Sequence, residues 1–191
     1  MIVDAAPVVL VDANVLYSAA LRDLIIALFL TDTIEIHWSS DILDEMAAAL
    51  VSNRRATVAG AQRLIADLTR HFPEAAVVSA PLPATVTLPD PRDHHVLGAA
   101  MAAQASILLT FDLNDFPATE LAKCGPIQAT HPDVFFQAML TIDEFSVIRA
   151  LAECRRKLVR KPMTPAEHVD HLDRCKLTGF AAALRQRLDK L

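Results

Sequence analysis

Short, uninterrupted apolar runs alternate along this chain with longer segments in which apolar residues recur every three to four positions. Continuous runs such as Val8-Val9-Leu10-Val11 are typical of parallel strands that are buried on both faces. We therefore predict strands at residues 8–11, 34–38, 75–79, 106–111 and 127–130. The segments with helical spacing predict helices at residues 15–30, 39–53, 57–72, 92–105 and in the stretch after Pro132. Alternating strands and helices predict an α/β fold with a parallel sheet covered on both faces.

The pattern changes after residue 140, where only helical spacing remains. We predict a helix over residues 143–161 that ends at Pro162. Thr164-Pro165-Ala166-Glu167 then matches a capping box with proline at the first helical position. Gly179 is expected to interrupt the helix that follows. The chain is therefore divided into a domain at residues 1–140 and a small all-α appendage at residues 141–191.

The composition of the chain favours a protein of the cytoplasm. Its 191 residues are 53% hydrophobic and 21% charged, which suits one globular domain with an appendage. Three cysteines without CxxC spacing indicate reduced thiols. Asp4 and Asp12 interrupt the early apolar residues, so we expect no secretion signal. Residues 21–30 are too short and too charged to span a membrane, and no membrane association is expected.

Charge is distributed unevenly between the two parts. The whole chain carries a formal net charge of −5. Residues 1–140 hold 7 Lys/Arg and 16 Asp/Glu, a net charge of −9, whereas residues 141–191 hold 11 and 7, a net charge of +4. An acidic metal site with an anion-binding appendage would produce this asymmetry. An ordinary solvated helix surface in the second part would produce it as well.

Four acidic residues occupy positions that suggest a site. Asp12 ends the first apolar run, Asp112 follows the run Ile107-Leu108-Leu109-Thr110-Phe111, Glu45 lies in an apolar helical pattern, and Asp93 begins another. Sites in open α/β sheets form at the carboxyl ends of strands. Carboxylates gathered there would raise each other's pKa unless a cation lay between them. Such a cluster suits Mg²⁺ or Mn²⁺, which prefer oxygen ligands.

Each acidic position also has an ordinary structural explanation. Asp12 could serve only as the N-cap of the helix that follows. Glu45 could face solvent, with Asp41 or Asp44 directed to the site instead. Asp93 stands at a helix start, where a carboxylate is favoured in any case.

Further alternatives concern the residues next to these positions. Asp90 is an alternative to Asp93, and both Asp112 and Asp115 could be turn residues before Pro117. His94 and His95 point about 100° apart on a helix, so at most one of them faces the site.

Four ordered segments together resemble the PIN-domain family and, within it, the VapC-type toxins of toxin–antitoxin pairs. They are Val9 to Leu16, the helix with Asp44-Glu45-Met46, Asp90-Pro91-Arg92-Asp93 leading into Leu97-Gly98-Ala99-Ala100, and Leu109 to Phe116. The resemblance covers residues 8–137 and implies a PIN-like α/β/α sandwich with a central parallel sheet. The basic helical tail resembles an extra domain carried by a subset of such toxins.

The resemblance implies a metal-dependent endoribonuclease. Asp12, Glu45, Asp93 and Asp112 fall on the acidic positions of the family and would hold one or two Mg²⁺ or Mn²⁺ ions. A metal-activated hydroxide would cleave RNA and leave a 5′-phosphate and a 3′-hydroxyl. The resemblance further implies a cognate antitoxin and a homodimer. Residues expected to support the metal ligands from outside are Asn14, Asp90, Thr110 and Asp115.

A basic run in the appendage is a candidate for contacts with RNA phosphates. It consists of Arg155, Arg156, Lys157, Arg160 and Lys161. A surface for a protein partner, or a solvated face, fits the same run.

Three rival functions remain. A haloacid dehalogenase-type phosphatase also begins with an apolar strand ending in Asp, but Asn14 stands where that class needs a second Asp. A housekeeping RNA-processing nuclease would share the fold and the site. An inactive PIN module would bind a partner only, although retention of all four carboxylates argues against it.

Overall fold

The computed structural model of the protein describes residues 6–191. In this range four strands form one all-parallel sheet in the order β2-β1-β3-β4. Val9 of the central strand pairs with Ile36 on one side and Ile107 on the other. The predicted α/β class with a central parallel sheet is confirmed. The strands are β1 (Val8–Val11), β2 (Glu35–His37), β3 (Ile107–Leu109) and β4 (Gln128–Thr130).

Ten α-helices are present in the described part of the chain. Three of the predicted helix starts are confirmed by their caps: Ser39 accepts from the Ile42 N–H, Thr57 accepts from the Gly60 N–H, and Thr164 forms the capping box with Glu167. The helices are α1 (Ala13–Leu16), α2 (Ala19–Phe29), α3 (Ser40–Ser52), α4 (Val58–His71), α5 (His94–Ala102), α6 (Ala118–Leu121), α7 (Pro132–Ile142), α8 (Glu144–Arg156), α9 (Pro165–Arg174) and α10 (Thr178–Arg185).

The strand predicted at residues 75–79 is wrong. Residues Pro73–Ala75 form a 3₁₀ helix, and only Ala76 bridges to Trp38 beside β2. The chain then leaves the sheet, because Ser79 and Ala80 lie against α5 instead. Ala80 N–H donates to the Gly98 carbonyl at 3.1 Å, and a Cβ on Gly98 would stand 2.4 Å from the Ala80 oxygen. Gly98 thus permits an approach that any larger residue would obstruct.

Three predicted helices have different bounds. The helix predicted at 15–30 is divided into α1 and α2, because Ser18 is extended (φ −77°, ψ 114°) and its hydroxyl contacts the Cys175 thiol at 3.8 Å. The helix predicted at 92–105 begins with a 3₁₀ turn at Pro91–Asp93 and becomes α-helical only at His94. The helix predicted at 143–161 ends at Arg156.

Gly179 does not interrupt the last helices. The break between α9 and α10 lies at residues 175–177, where Lys176 adopts the left-handed conformation with φ of 66°. Gly179 lies in the first turn of α10. The predicted helix interruption is therefore present, but three residues earlier in the chain.

One hydrophobic core connects the sheet domain with the C-terminal helices. Phe136 of α7 and Phe180 of α10 are fully buried and stacked, with ring centroids 5.4 Å apart. Helix α7 runs without a break through residues 140 and 141, where we predicted the division between the two domains. Helices α8, α9 and α10 therefore pack against the same core as the sheet.

Three further expectations from the sequence concern membrane helices, a secretion signal and the cysteines. No helix among residues 6–191 has both the length and the apolarity to cross a lipid bilayer. Asp4, one of the two residues that spoke against a secretion signal, lies outside the described residues. All three cysteines are free thiols.

Candidate functional site

Asp12 is the buried acidic residue of the site. It follows β1 at the carboxyl edge of the sheet, and only 7% of its surface is exposed. It caps α1, since its Oδ1 accepts from the Ala13 N–H at 2.6 Å. Burial raises its pKa from 3.8 to about 6, and the charges of Glu45 and Asp93 add to that shift. Asp12 is therefore both a helix cap and a member of an acidic group.

The Thr110 hydroxyl connects three residues of the site. It donates to Asp12 Oδ2 at 2.7 Å, and it accepts from Asn14 Nδ2 at 3.0 Å and from the Asp112 N–H at 3.1 Å. A hydroxyl has one donor and two acceptor positions, so its capacity is fully used. Thr110 is fully buried directly after β3. The strand that adjoins β1 thus fixes the position of the Asp12 carboxylate.

Asn14 holds the loop after β3 against α1. Its side-chain Nδ2 donates to Asp112 Oδ2 at 3.0 Å, and its Oδ1 accepts from the Phe111 N–H at 3.2 Å. Asp112 is exposed and is joined to the group through Asn14 and Thr110. The structure therefore joins Asp112 to the site by hydrogen bonds.

Glu45 and Asp93 bring two further carboxylates to Asp12 from α3 and from the start of α5. Burial raises the pKa of Asp93, and the charges of Asp115 and Glu45 contribute to that increase. Glu45 is exposed on α3, yet its charge acts on both Asp12 and Asp93. Glu45 Oε2 also lies 3.5 Å from His95 Nε2 on α5. Of the three acidic residues in this helix, Glu45 faces the site.

Asp90 and Asp115 have different surroundings. The Arg92 guanidinium donates to Asp90 with Nη2 at 2.6 Å and holds the pKa of Asp90 below its usual range. Asp90 is thus already paired. Asp115 is half-buried and, after burial itself, has the largest effect on Asp93. Asp115 therefore belongs to the acidic group more directly than its expected supporting role implied.

His95 is a site residue that the sequence did not assign. Its Nδ1 lies 2.7 Å from the Arg92 carbonyl oxygen, and because a carbonyl only accepts, Nδ1 donates. Its Nε2 then faces Glu45 Oε2 at 3.5 Å, a contact that lacks the geometry of a hydrogen bond. His94 is exposed. We expected at most one histidine of the pair to face the site, and His95 is that residue; helical spacing from Asp93 was the available signal.

The acidic side chains form an open cluster. In residues 6–191 no three His, Cys, Asp or Glu side chains stand close enough to hold a metal ion as they are placed. The charges of Glu45 and Asp93 nevertheless act on Asp12, and those of Asp115, Asp90 and Glu45 act on Asp93. Such a group can bind a proton or a cation at the carboxyl edge of the sheet.

A model of one protein family matches more than half of the chain. It is described as "PIN domain" and covers residues 8–114, from the start of β1 to the loop after β3. The chain belongs to the PIN-domain family. The matched range contains all four expected acidic residues of the PIN domain together with Asn14, Thr110 and His95.

The helices beyond the PIN domain match a second model, described as "VapC50 C-terminal domain", at residues 132–186. This match begins with α7. "Putative ribonuclease VapC50" of Mycobacterium tuberculosis (strain ATCC 25618 / H37Rv) is 32% identical over 95 residues, or 50% of this chain. The chain spans about half the length of that curated relative, 55%. No solved structure matches the chain.

The basic run of residues 155–161 lies apart from the acidic cluster of the PIN domain. The Arg155 guanidinium donates to the backbone oxygens of Met163 and Leu191, which fastens the C-terminus. Arg156 pairs with Glu153 at 2.9 Å. Lys157, Arg160 and Lys161 are exposed, after the end of α8.

Proposed function

We propose that this chain is a divalent metal-dependent endoribonuclease and the toxin of a VapC-type toxin–antitoxin pair. The observation that carries the proposal is the buried Asp12 carboxylate, whose pKa of about 6 reflects burial and the nearby charges of Glu45 and Asp93. Membership of the PIN-domain family, the match of residues 132–186 and the name of the curated relative support it.

The residues of the site fit a hard cation by their chemistry. Each ligand that we propose is a carboxylate, and Mg²⁺ and Mn²⁺ select oxygen donors. Asp12, Glu45, Asp93 and Asp112 would hold the metal, with Asn14, Asp90, Thr110 and Asp115 in support. A bound ion would supply a hydroxide near neutral pH and positive charge to the reacting phosphate.

The protein's own contribution is to hold the carboxylates in position. The Thr110 hydroxyl and the Ala13 N–H each occupy one oxygen of Asp12, and each oxygen keeps a further lone pair. Asn14 restrains Asp112, and His95 stands beside Glu45. These contacts already hold Asp12 and Asp112, whereas the carboxylates as a group would have to close around a bound ion.

The proposed partners follow from the same assignment. The substrate is RNA, and a cognate antitoxin would cover the acidic cluster. We further propose a homodimer that acts in the cytoplasm.

Cleavage of total RNA by the purified protein tests the proposal. Reactions contain Mn²⁺ or EDTA, with the wild type or the Asp12→Asn variant, and the new ends are mapped. We expect Mn²⁺-dependent cuts with 5′-phosphates that disappear in EDTA and in the variant. Calorimetric titration with Mn²⁺ gives a second readout, since the variant should bind the ion more weakly. Cleavage that survives in Asp12→Asn would contradict the assignment.

A further inference from the structure

A pocket of about 820 Å³ lies beside the acidic cluster, between the first domain and the C-terminal helices. Asn14 and Asp112, which belong to the candidate site, form part of its lining. Arg174, Cys175 and Lys176, in the connection between α9 and α10, line it from the C-terminal side. The C-terminal helices therefore provide one wall of an opening that includes two residues of the proposed active site.

Four cations line this pocket: Arg22, Arg55, Arg174 and Lys176. Among residues 6–191, no carboxylate lies within ion-pair distance of any of them. Arg22 is half-buried and donates Nη1 to the Leu16 carbonyl at 2.6 Å. Burial lowers its pKa, although a guanidinium stays charged in proteins. The pocket thus concentrates positive charge next to an acidic centre.

Aromatic and aliphatic side chains complete the lining. Tyr17 and Phe111 are both half-buried there, and Leu50 and Leu64 add apolar surface. Lys176 Nζ lies 5.4 Å from the centre of the Phe111 ring. Unpaired cations together with aromatic rings are the combination that binds single-stranded nucleic acid, because phosphates meet the charges and bases meet the rings.

We propose that this pocket binds an unpaired nucleotide of the RNA strand, next to the phosphodiester that is cleaved, and that Arg174 and Lys176 contact its phosphates. The proposal rests on the endoribonuclease function proposed above. A strand whose phosphate reaches the carboxylates can pass Asn14 and Asp112, which also line the pocket. The cations offset the repulsion between the acidic cluster and the RNA backbone.

An acidic peptide would be attracted by the same charges. RNA is favoured because the pocket also offers aromatic surface and shares Asn14 and Asp112 with the proposed active site. The experiment therefore includes both ligands.

Fluorescence anisotropy with a short, unstructured, labelled oligoribonucleotide in EDTA measures binding without cleavage. The double variant Arg174→Gln/Lys176→Gln is compared with Arg63→Gln/Arg70→Gln, which removes two exposed cations from α4. We expect the pocket variant to raise the Kd about tenfold at moderate salt. The slope of log Kd against log salt should decrease by about 0.7 for each phosphate that the variant no longer neutralises. The control should bind like the wild type, and both variants should keep the wild-type melting temperature.

The outcomes separate this inference from the proposed function. Equal weakening by the two double variants, or no measurable binding by the wild type, would overturn the pocket assignment. A glutamate oligopeptide that binds as tightly as the RNA and loses as much in the pocket variant would overturn it in favour of an acidic peptide. Asp12-dependent cleavage with unchanged binding in the pocket variant would reject the pocket alone. Pocket-dependent binding without any cleavage would reject the nuclease function alone.

Discussion

The carboxylate of Asp133 accepts a hydrogen bond from the backbone N–H of Phe180 at 2.8 Å, and its other oxygen accepts from Gly179 at 3.0 Å. A side chain of α7 thus caps the first turn of α10, which has no cap from its own N-terminal residue. This contact lies next to the stacked rings of Phe136 and Phe180. It links α7 to α10, the helix that comes directly after the pocket-lining residues 174–176.

Replacing Asp133 should therefore loosen the last helices. Asp133→Ala removes both acceptors, and we expect a loss of about 1–2 kcal/mol in the free energy of unfolding. Urea denaturation measures it, and amide exchange should become faster at Phe180. Asp170→Ala is the matched control, because its ion pair with Arg185 is exposed and should contribute at most about 1 kcal/mol. Equal effects of the two variants would exclude a specific role for Asp133.

Thr110 offers a sharper test of the hydrogen bonds in the site. Thr110→Val keeps the shape but leaves Asp12, Asn14 and the Asp112 N–H without their shared partner, so a loss of about 1–3 kcal/mol is expected. Cleavage should fall as well. Thr110→Ser keeps the hydroxyl and loses one buried methyl group, about 0.8 kcal/mol. Activity in Thr110→Ser together with inactivity in Thr110→Val is the expected result; equal activity in both would contradict it.

The stability of the metal-free protein should depend on the charge of Asp12. Its pKa is about 6 in the folded protein and 3.8 as the ordinary value, so folding favours the protonated form. The resulting stability is present below pH 3.8 and is lost as pH rises through about 6. The loss is about 3 kcal/mol, at about 1.4 kcal/mol for each pKa unit.

Thermal melting in EDTA between pH 4 and 7 measures this loss. Asp12→Asn carries no charge, so its melting temperature should decline less over the same range. If the melting temperatures of the wild type and the variant changed equally with pH, ionisation of Asp12 would not destabilise the folded protein.

Glu45 and its neighbour on α3 test which carboxylate serves the site. Glu45→Gln should reduce Mn²⁺-dependent cleavage by at least about tenfold, because it removes a charge that acts on both Asp12 and Asp93. Asp44→Asn removes an exposed charge one residue away and should leave the rate unchanged. The measurement is the initial cleavage rate of one mapped RNA. A larger loss in Asp44→Asn would reverse the assignment.

Gly98 tests the contact between α5 and the chain before it. Gly98→Ala places a Cβ 2.4 Å from the Ala80 carbonyl oxygen, so the backbone must move, at a cost of about 1–3 kcal/mol. Gly60→Ala is the control, since the nearest atom to its Cβ is the Thr57 hydroxyl oxygen at 3.2 Å, in the first turn of α4. Chemical denaturation of the two variants should show the larger loss at Gly98. Equal losses would mean that Ala80 moves freely.

The local hydrophobic pattern predicted the structure correctly where a segment is buried on every side. The run Val8 to Val11 is the strand β1 without a change at either end, because continuous apolar residues suit only the centre of a sheet. The capping box at Thr164 and Glu167 is equally local and is present as expected. Asp12, Asn14 and Thr110 lie at the ends of such strands, so their place at one edge could be predicted.

Contacts between distant segments explain the features of the fold that the hydrophobic pattern did not predict. Ser18 divides the first helix because it meets Cys175, which lies 157 residues later in the chain. Residues 75–79 have the apolar character of a strand, yet the chain turns to α5. There Gly98 has no side chain, so Ala80 can approach and donate a hydrogen bond to its carbonyl. The helix predicted at residues 143–161 contained the whole basic run of residues 155–161, but α8 ends at Arg156. The spacing of residues along the sequence does not show which distant segments will be in contact.

The order of the strands has a consequence for the synthesis of the chain. Asp12 is made early, whereas Thr110, which positions its carboxylate, follows 98 residues later. The strand beside β1 on that side is β3, so a ribosome must release residues beyond 110 before the two can meet. Chains that terminate earlier contain Asp12, Glu45 and Asp93 without the contact that orders them. The acidic centre therefore assembles late in translation, and prematurely ended products lack it.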